Sequence, residues 1–311
     1  MNVLSVDGGG IRGLIPAMVL AELEERTGRH VADLFDLVAG TSTGGIIALA
    51  LTVPGPDGRP RWTANDLVSL YLTEGPRIFE HSIGRQISTG LGLLDEKYDA
   101  RPLEQALDTY FGDTRISQAV TDVLVTSYDL EHRKPFFFKT DRAKAKPLHD
   151  WPMKAAARAT SAAPTYFEPE RLEADGEVFA LCDGGVFANN PAMCAYAEAR
   201  RRHPHAKVRI VSLGTGQLTR KIHAEQASGW GLVEWARPLL DVVFDGVSDS
   251  TDYQLDQLVA DGDHTRFQIE LRGASDALDN AHEGNMEDLQ DLARQLISDR
   301  TADLDRLVAA L

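Results

Sequence analysis

Residues 36–50 read Asp36-Leu37-Val38-Ala39-Gly40-Thr41-Ser42-Thr43-Gly44-Gly45-Ile46-Ile47-Ala48-Leu49-Ala50. An apolar run of strand character, about residues 34–39, enters the pentapeptide Gly40 to Gly44. An apolar run of helix character, about 45–51, leaves it. Strand, turn, helix is the context in which Gly-x-Ser-x-Gly forms a nucleophile elbow. The turn is so tight that the serine takes a strained backbone conformation and only the smallest residues fit at Gly40 and Gly44. Ser42 is therefore the candidate nucleophile. A helix that is apolar on every face must also be buried, with its N-terminal N–H groups directed at that serine.

Upstream, residues 3–6 form a short apolar strand that runs straight into Asp7-Gly8-Gly9-Gly10-Ile11-Arg12-Gly13. A helix follows over about 14–26, with Pro16 harmless in its first turn and Gly28 at its end. The loop formally matches Gly-x-Gly-x-x-Gly, the fingerprint of a nucleotide-binding α/β module. That fingerprint needs an acidic residue after the second strand; Asp33 stands before it, and Ser42 occupies the place after it. A serine there points to a different anion, the tetrahedral oxyanion of acyl transfer. Gly8, Gly9 and Gly10 are the expected oxyanion donors, since no side chain obstructs their N–H groups. Arg12 could meet a phosphate or lock the loop through a carboxylate pair, and the second, structural role is the one expected.

Downstream, residues 54–60 form a Pro/Gly loop, and a helix capped by Asn65 or Asp66 ends at Gly75-Pro76. Residues 82–94 are glycine-rich with scattered apolar residues, and read either as a lid over an acyl pocket or as a packed connection. Strands are expected at 123–128, 135–139, 178–182 and 208–213, and helices at about 103–111, 153–163 and 191–202. Phe136, Phe137 and Phe138 read as core. From Ser228 an apolar helical face extends to Val247, fitted either for core packing or to flank a lipid channel. Helices over about 286–311 dock on the body. Alternating strands and helices predict a three-layer α/β/α architecture with a mainly parallel central sheet in a single domain, 1–311.

An acyl-transfer serine needs a base. His264 and His282 are the only late histidines, and Asp263-His264 reads as a solvated turn. Asp183 is better placed, ending an apolar strand with Gly184 and Gly185 behind it. Burial beside Leu181 and Cys182 would raise its basicity, and direct contact would let it take the serine proton.

Composition bounds the partners. With 47 acidic against 32 basic side chains and a formal net charge of −15, the average field repels nucleic acid. Two cysteines, Cys182 and Cys194, and a first strand beginning at Val3 suggest a reducing, cytoplasmic setting. No apolar run has the length of a membrane span, so lipid would be met peripherally, from the aqueous side.

Taken together, Asp7 to Gly13, Gly40 to Gly44 and Asp183-Gly184-Gly185 resemble the patatin-like phospholipases in order, spacing and local structure. Residues 159–167, Ala-Thr-Ser-Ala-Ala-Pro-Thr-Tyr-Phe, and 212–216, Ser-Leu-Gly-Thr-Gly, share that similarity, which covers at least residues 1–216. The resemblance implies a patatin-like fold and a Ser-Asp dyad, Ser42 as nucleophile and Asp183 as base. It also implies an oxyanion hole from Gly8 to Gly10 and hydrolysis of phospholipid or related acyl esters without metal or cofactor. The third motif ends in Gly185 where many relatives have alanine. Some bacterial relatives are membrane-degrading effectors activated by cyclic nucleotides, and nothing in the sequence marks such a site.

Overall fold

The computed structural model describes residues 1–79 and 98–311. The segment 82–94, read above as a lid or connection, lies outside the described residues. Among the described residues eight strands form one sheet: β1 (Asn2–Val6), β2 (Leu37–Thr41), β3 (Asp122–Asp129), β4 (Lys134–Lys139), β5 (Glu170–Ala174), β6 (Glu177–Asp183), β7 (Arg209–Leu213) and β8 (His264–Phe267). β1 pairs in parallel with β2 and β7, β2 with β3, and β7 with β8. β4 and β6 pair antiparallel with β3, and β5 with β6. The expected mainly parallel α/β sheet is thus present, extended by an antiparallel flank.

Strand periodicity explains how it is covered. Leu4, Val6 and Val38 join a large cluster with Leu14, Ile15, Ile47 and Leu49. Val3, Leu37 and Ala39, one position out of phase, pack on the opposite face against Ala192, Ala195 and Ala199. Successive side chains of a strand point to opposite faces, so runs apolar at every position are buried on both. The first layer includes α1 (Leu14–Thr27), closed by Gly28 at φ 65°, and α2 (Thr43–Ala50). It continues with α3 (Ala64–Ile78), α4 (Arg101–Phe111) and α5 (Met153–Thr160). The second holds α6 (Ala192–Arg202) and the C-terminal part of α7 (Leu232–Leu258), which reaches it through Leu255. At the C-terminus, α8 (Glu283–Asp299) and α9 (Thr301–Ala310) bury Leu289, Leu292, Leu296, Leu304 and Leu307 in the larger cluster.

Several boundaries differ from the expectations. Leu34 closes a short helix, Val31–Leu34, and the strand begins three residues later. α3 is capped by Thr63, whose hydroxyl accepts from Asp66 N while Asp66 answers with its carboxylate, a capping box. Pro76 does not end that helix: it sits in the last turn, which runs on to Ile78. β5 and β8 were not expected, and His264 is the first residue of β8, its side chain 6% exposed and paired with Asp256, not part of a solvated turn. The phenylalanines of β4 behave as read. Phe136 and Phe138 are core, and Phe137 packs edge-on to Phe187.

Candidate active site

The register of β3 brings Ser42 and Asp183 together. Residues 122–126 of β3 pair with β2 on the edge opposite β4, and residues 127–129 pair with β6, again opposite β4. β2 climbs that edge and stops at Thr41 beside Thr126; β6 descends it and stops at Asp183 beside Ser127. Two strands running toward each other along one edge leave their last residues one register step apart, roughly 3.3 Å. Ser42 follows one end directly, and Asp183 is the other.

Ser42 has φ 54° and ψ −125°, a conformation costly for a side-chain-bearing residue and characteristic of a nucleophile elbow. The glycines allow it: a Cβ on Gly44 would lie 2.1 Å from Val6 O, and one on Gly40 2.1 Å from Gly44 O. The strained turn is pinned from α5 and β3. Ser42 N donates to Thr160 Oγ1 at 2.9 Å, and that hydroxyl donates to Thr126 O at 2.6 Å. Thr43 is held in turn through its hydroxyl by Tyr71 OH.

Asp183 is fully buried. Its N–H donates to Ala162 O at 2.9 Å, and Oδ1 accepts from Gly185 N at 2.7 Å. Burial pushes the carboxyl up to about 7, against the opposing pull of the Ser42 hydroxyl and the Gly185 N–H. The contact with Ser42 is looser than a completed hydrogen bond, because Oδ2 has no partner at bonding geometry. Catalytic hydrogen bonds in unliganded enzymes are commonly long and tighten with substrate. Neither His264 nor His282 is among the described residues that line the cavity at Ser42.

The glycine loop lies beside Ser42, a Cβ on Gly8 coming 3.2 Å from Ser42 Cβ. Of its three expected donors one is taken, since Gly8 N donates to Asn189 O at 3.0 Å. Gly9 and Gly10 have no acceptor for their N–H groups among the described residues. Arg12 locks the loop through carbonyls, not through the expected carboxylate pair: it donates from Nε to Gly9 O and from its terminal nitrogen to Asp276 O, each at 3.3 Å. Beneath the loop, Asp7 is buried against Arg266, whose nitrogens lie 2.6 and 3.0 Å from its two oxygens. Burial still pushes Asp7 up to about 6, with Arg266 opposing. Arg266→Met leaves that carboxylate unpaired and is expected to cost about 3–5 kcal/mol in urea denaturation at pH 8. Toward pH 5 the deficit shrinks, because Asp7 takes up a proton.

Ser42 and Asp183 open into a cavity whose other walls are almost wholly apolar: Ile11, Ile46, Leu70, Tyr71, Ile78, Leu103, Leu107, Phe167 and Phe244. From the 228–247 face Phe244 reaches the cavity out of α7, while Leu239 and Val242 are exposed. Thr160 and Asn189 escaped the sequence reading, and Phe244 entered it only as one residue of the apolar face over 228–247. Thr160 had a signal, its place in the 159–167 segment; Asn189 and Phe244 act only through contacts distant in sequence.

A family model described as "Patatin-like phospholipase" matches residues 4–196. Patatin-like protein 2 of Arabidopsis thaliana is 34% identical over 338 residues, 96% of this chain and 83% of the relative. Patatin-like protein 1 of Oryza sativa subsp. indica is also 34% identical, over 97% of this chain and 82% of its own length. Among solved structures, VipD from Legionella pneumophila superposes with a TM-score of 0.42 at 10% identity, over 96% of this chain and 66% of that one.

Proposed function

The chain belongs to the patatin-like phospholipase family and is a lipid acyl hydrolase, and we propose that it works through a Ser42–Asp183 dyad and a covalent acyl-enzyme. The observation that carries this reading is the head-on meeting of β2 and β6, which brings a strained serine and a buried carboxylate together in the wall of an apolar cavity. Asp183 takes the Ser42 proton as Oγ attacks the ester carbonyl carbon, forming a tetrahedral intermediate. Its oxyanion is held by the N–H groups of Gly9 and Gly10 and by the N-terminal turn of α2, each donor contributing ~3 kcal/mol to the transition state. The ester C–O bond then breaks, and Asp183 returns the proton to the departing alcohol. In the second half a water attacks acyl-Ser42, giving its proton to Asp183 and then to the serine, which releases the fatty acid. A carboxyl brought to about 7 is matched to both halves, strong enough as a base and still able to act as an acid.

The apolar walls suit the acyl chain of a phospholipid or another acyl-ester lipid. Among the described residues no helix is long and apolar enough to cross a membrane. We place the protein on the aqueous side of a lipid surface, working in the cytoplasm as one patatin-like unit. Both cysteines are free, and burial pushes the Cys182 thiol up to about 11, which keeps it protonated and inert. Phosphatidylcholine vesicles and p-nitrophenyl butyrate provide the test. Free fatty acid and p-nitrophenol are the expected products, and a well-folded protein that releases neither would overturn the reading.

A further inference from the structure

Phe244 is buried, 6% exposed, and is the residue through which α7 enters the wall around Ser42 and Asp183. A methyl group at Gly185 would lie 3.0 Å from both Cε1 and Cζ of this ring and 3.1 Å from Asp183 Oδ1. One point in space therefore touches the ring edge and the carboxylate together. The ring reaches so far in because residue 185 has no side chain.

We infer that Phe244, admitted by Gly185, is a positioning residue for the dyad, covering the Asp183 carboxylate so that water does not solvate it and the base stays strong enough to take the Ser42 proton. The inference rests on the dyad reading above. Burial is the leading influence on Asp183, and among the described residues the others are the Ser42 hydroxyl from the β2 elbow and the Gly185 N–H. The carboxylates of Asp241 and Asp245 on α7, with that of Asp276, act on Arg12. From the segment after α5, the Ser161 hydroxyl is occupied with Ala157 O. Cys182, the other titratable neighbour, stays neutral as a thiol. With no ion among the described residues to set the basicity of Asp183, apolar cover is what remains, and Phe244 is the aromatic ring that meets it at Gly185.

The test is the pH dependence of kcat/KM for p-nitrophenyl butyrate hydrolysis. Wild type is expected to gain activity through a midpoint near 7. Phe244→Ala admits water and is expected to move that midpoint down by about one pH unit, with a plateau roughly tenfold lower. Phe244→Leu, which keeps apolar cover, is expected to hold the wild-type midpoint. Gly185→Ala pushes the ring away and is expected to shift the midpoint in the same direction as Phe244→Ala, and to add little in the double variant. A merely structural role would lower the melting temperature without moving the midpoint. If Phe244→Ala does not fold, Gly185→Ala carries the same comparison. An unmoved midpoint in the folded variants overturns the role of Phe244 alone, provided Asp183→Asn is inactive. Full activity in Asp183→Asn overturns the dyad and the role of Phe244 with it.

Discussion

Ser42→Ala is expected to lower kcat for p-nitrophenyl butyrate by about 10³-fold or more while KM changes little, since the nucleophile contributes to bond making and not to acyl binding. The apolar walls remain, and so do the N–H donors of Gly9 and Gly10. What vanishes is the acyl-enzyme. Stability should hardly change: alanine suffers the same backbone strain at φ 54°, and the backbone bond from residue 42 to Thr160 survives. Circular dichroism melting beside the rate assay separates loss of chemistry from loss of fold. Ser42→Gly relieves the strain, so it should be just as inactive yet melt higher than the alanine variant.

Asp183→Asn is expected to lose activity on a similar scale, about 10²–10⁴-fold for removal of a general base. Its stability should move the other way above neutral pH. The folded carboxyl titrates near 7 and the unfolded one near 3.8. Across that window the folded protein holds a proton that the unfolded chain has released, so wild-type stability falls as pH rises and the whole penalty is present above 7. At pH 8 the asparagine variant, free of that buried charge, should exceed wild type by roughly 2–4 kcal/mol in urea denaturation. Below pH 4 the two should converge. Such an outcome would make the proposed base a stability–function trade-off.

The parts of this site legible in the sequence are those made by local sterics. Gly40, Ser42 and Gly44 are spaced so that a strand can turn directly into a helix, and the turn observed has the strained serine that this spacing demands. Asp183 was legible because an apolar strand ends on it before two glycines. What remained hidden depends on pairings distant in the chain. That β6 runs antiparallel and meets β2 end to end is a property of β3's register, which no local pattern encodes. Gly8 looked as free a donor as its neighbours until Asn189 was found to accept from it. β8 escaped notice because His264-Thr265-Arg266 lacks an apolar run, its half-buried arginine holding Asp7. The Thr63 cap was masked by Asn65 and Asp66, which are equally good capping types in the same turn. Pro76 misled because a proline in a last turn forfeits little of the helix that remains.

The dyad itself is tested most directly by covalent trapping. Wild type and Asp183→Asn would be treated with a fluorophosphonate, which reacts with activated serines, and the adduct located by peptide mass spectrometry over a range of pH. A single adduct on the peptide carrying Ser42 is expected, formed at a rate that rises through pH 7 and is slowed by about 10²-fold or more in Asp183→Asn. An adduct on another residue, or equal rates in the two proteins, would contradict the Ser42–Asp183 dyad.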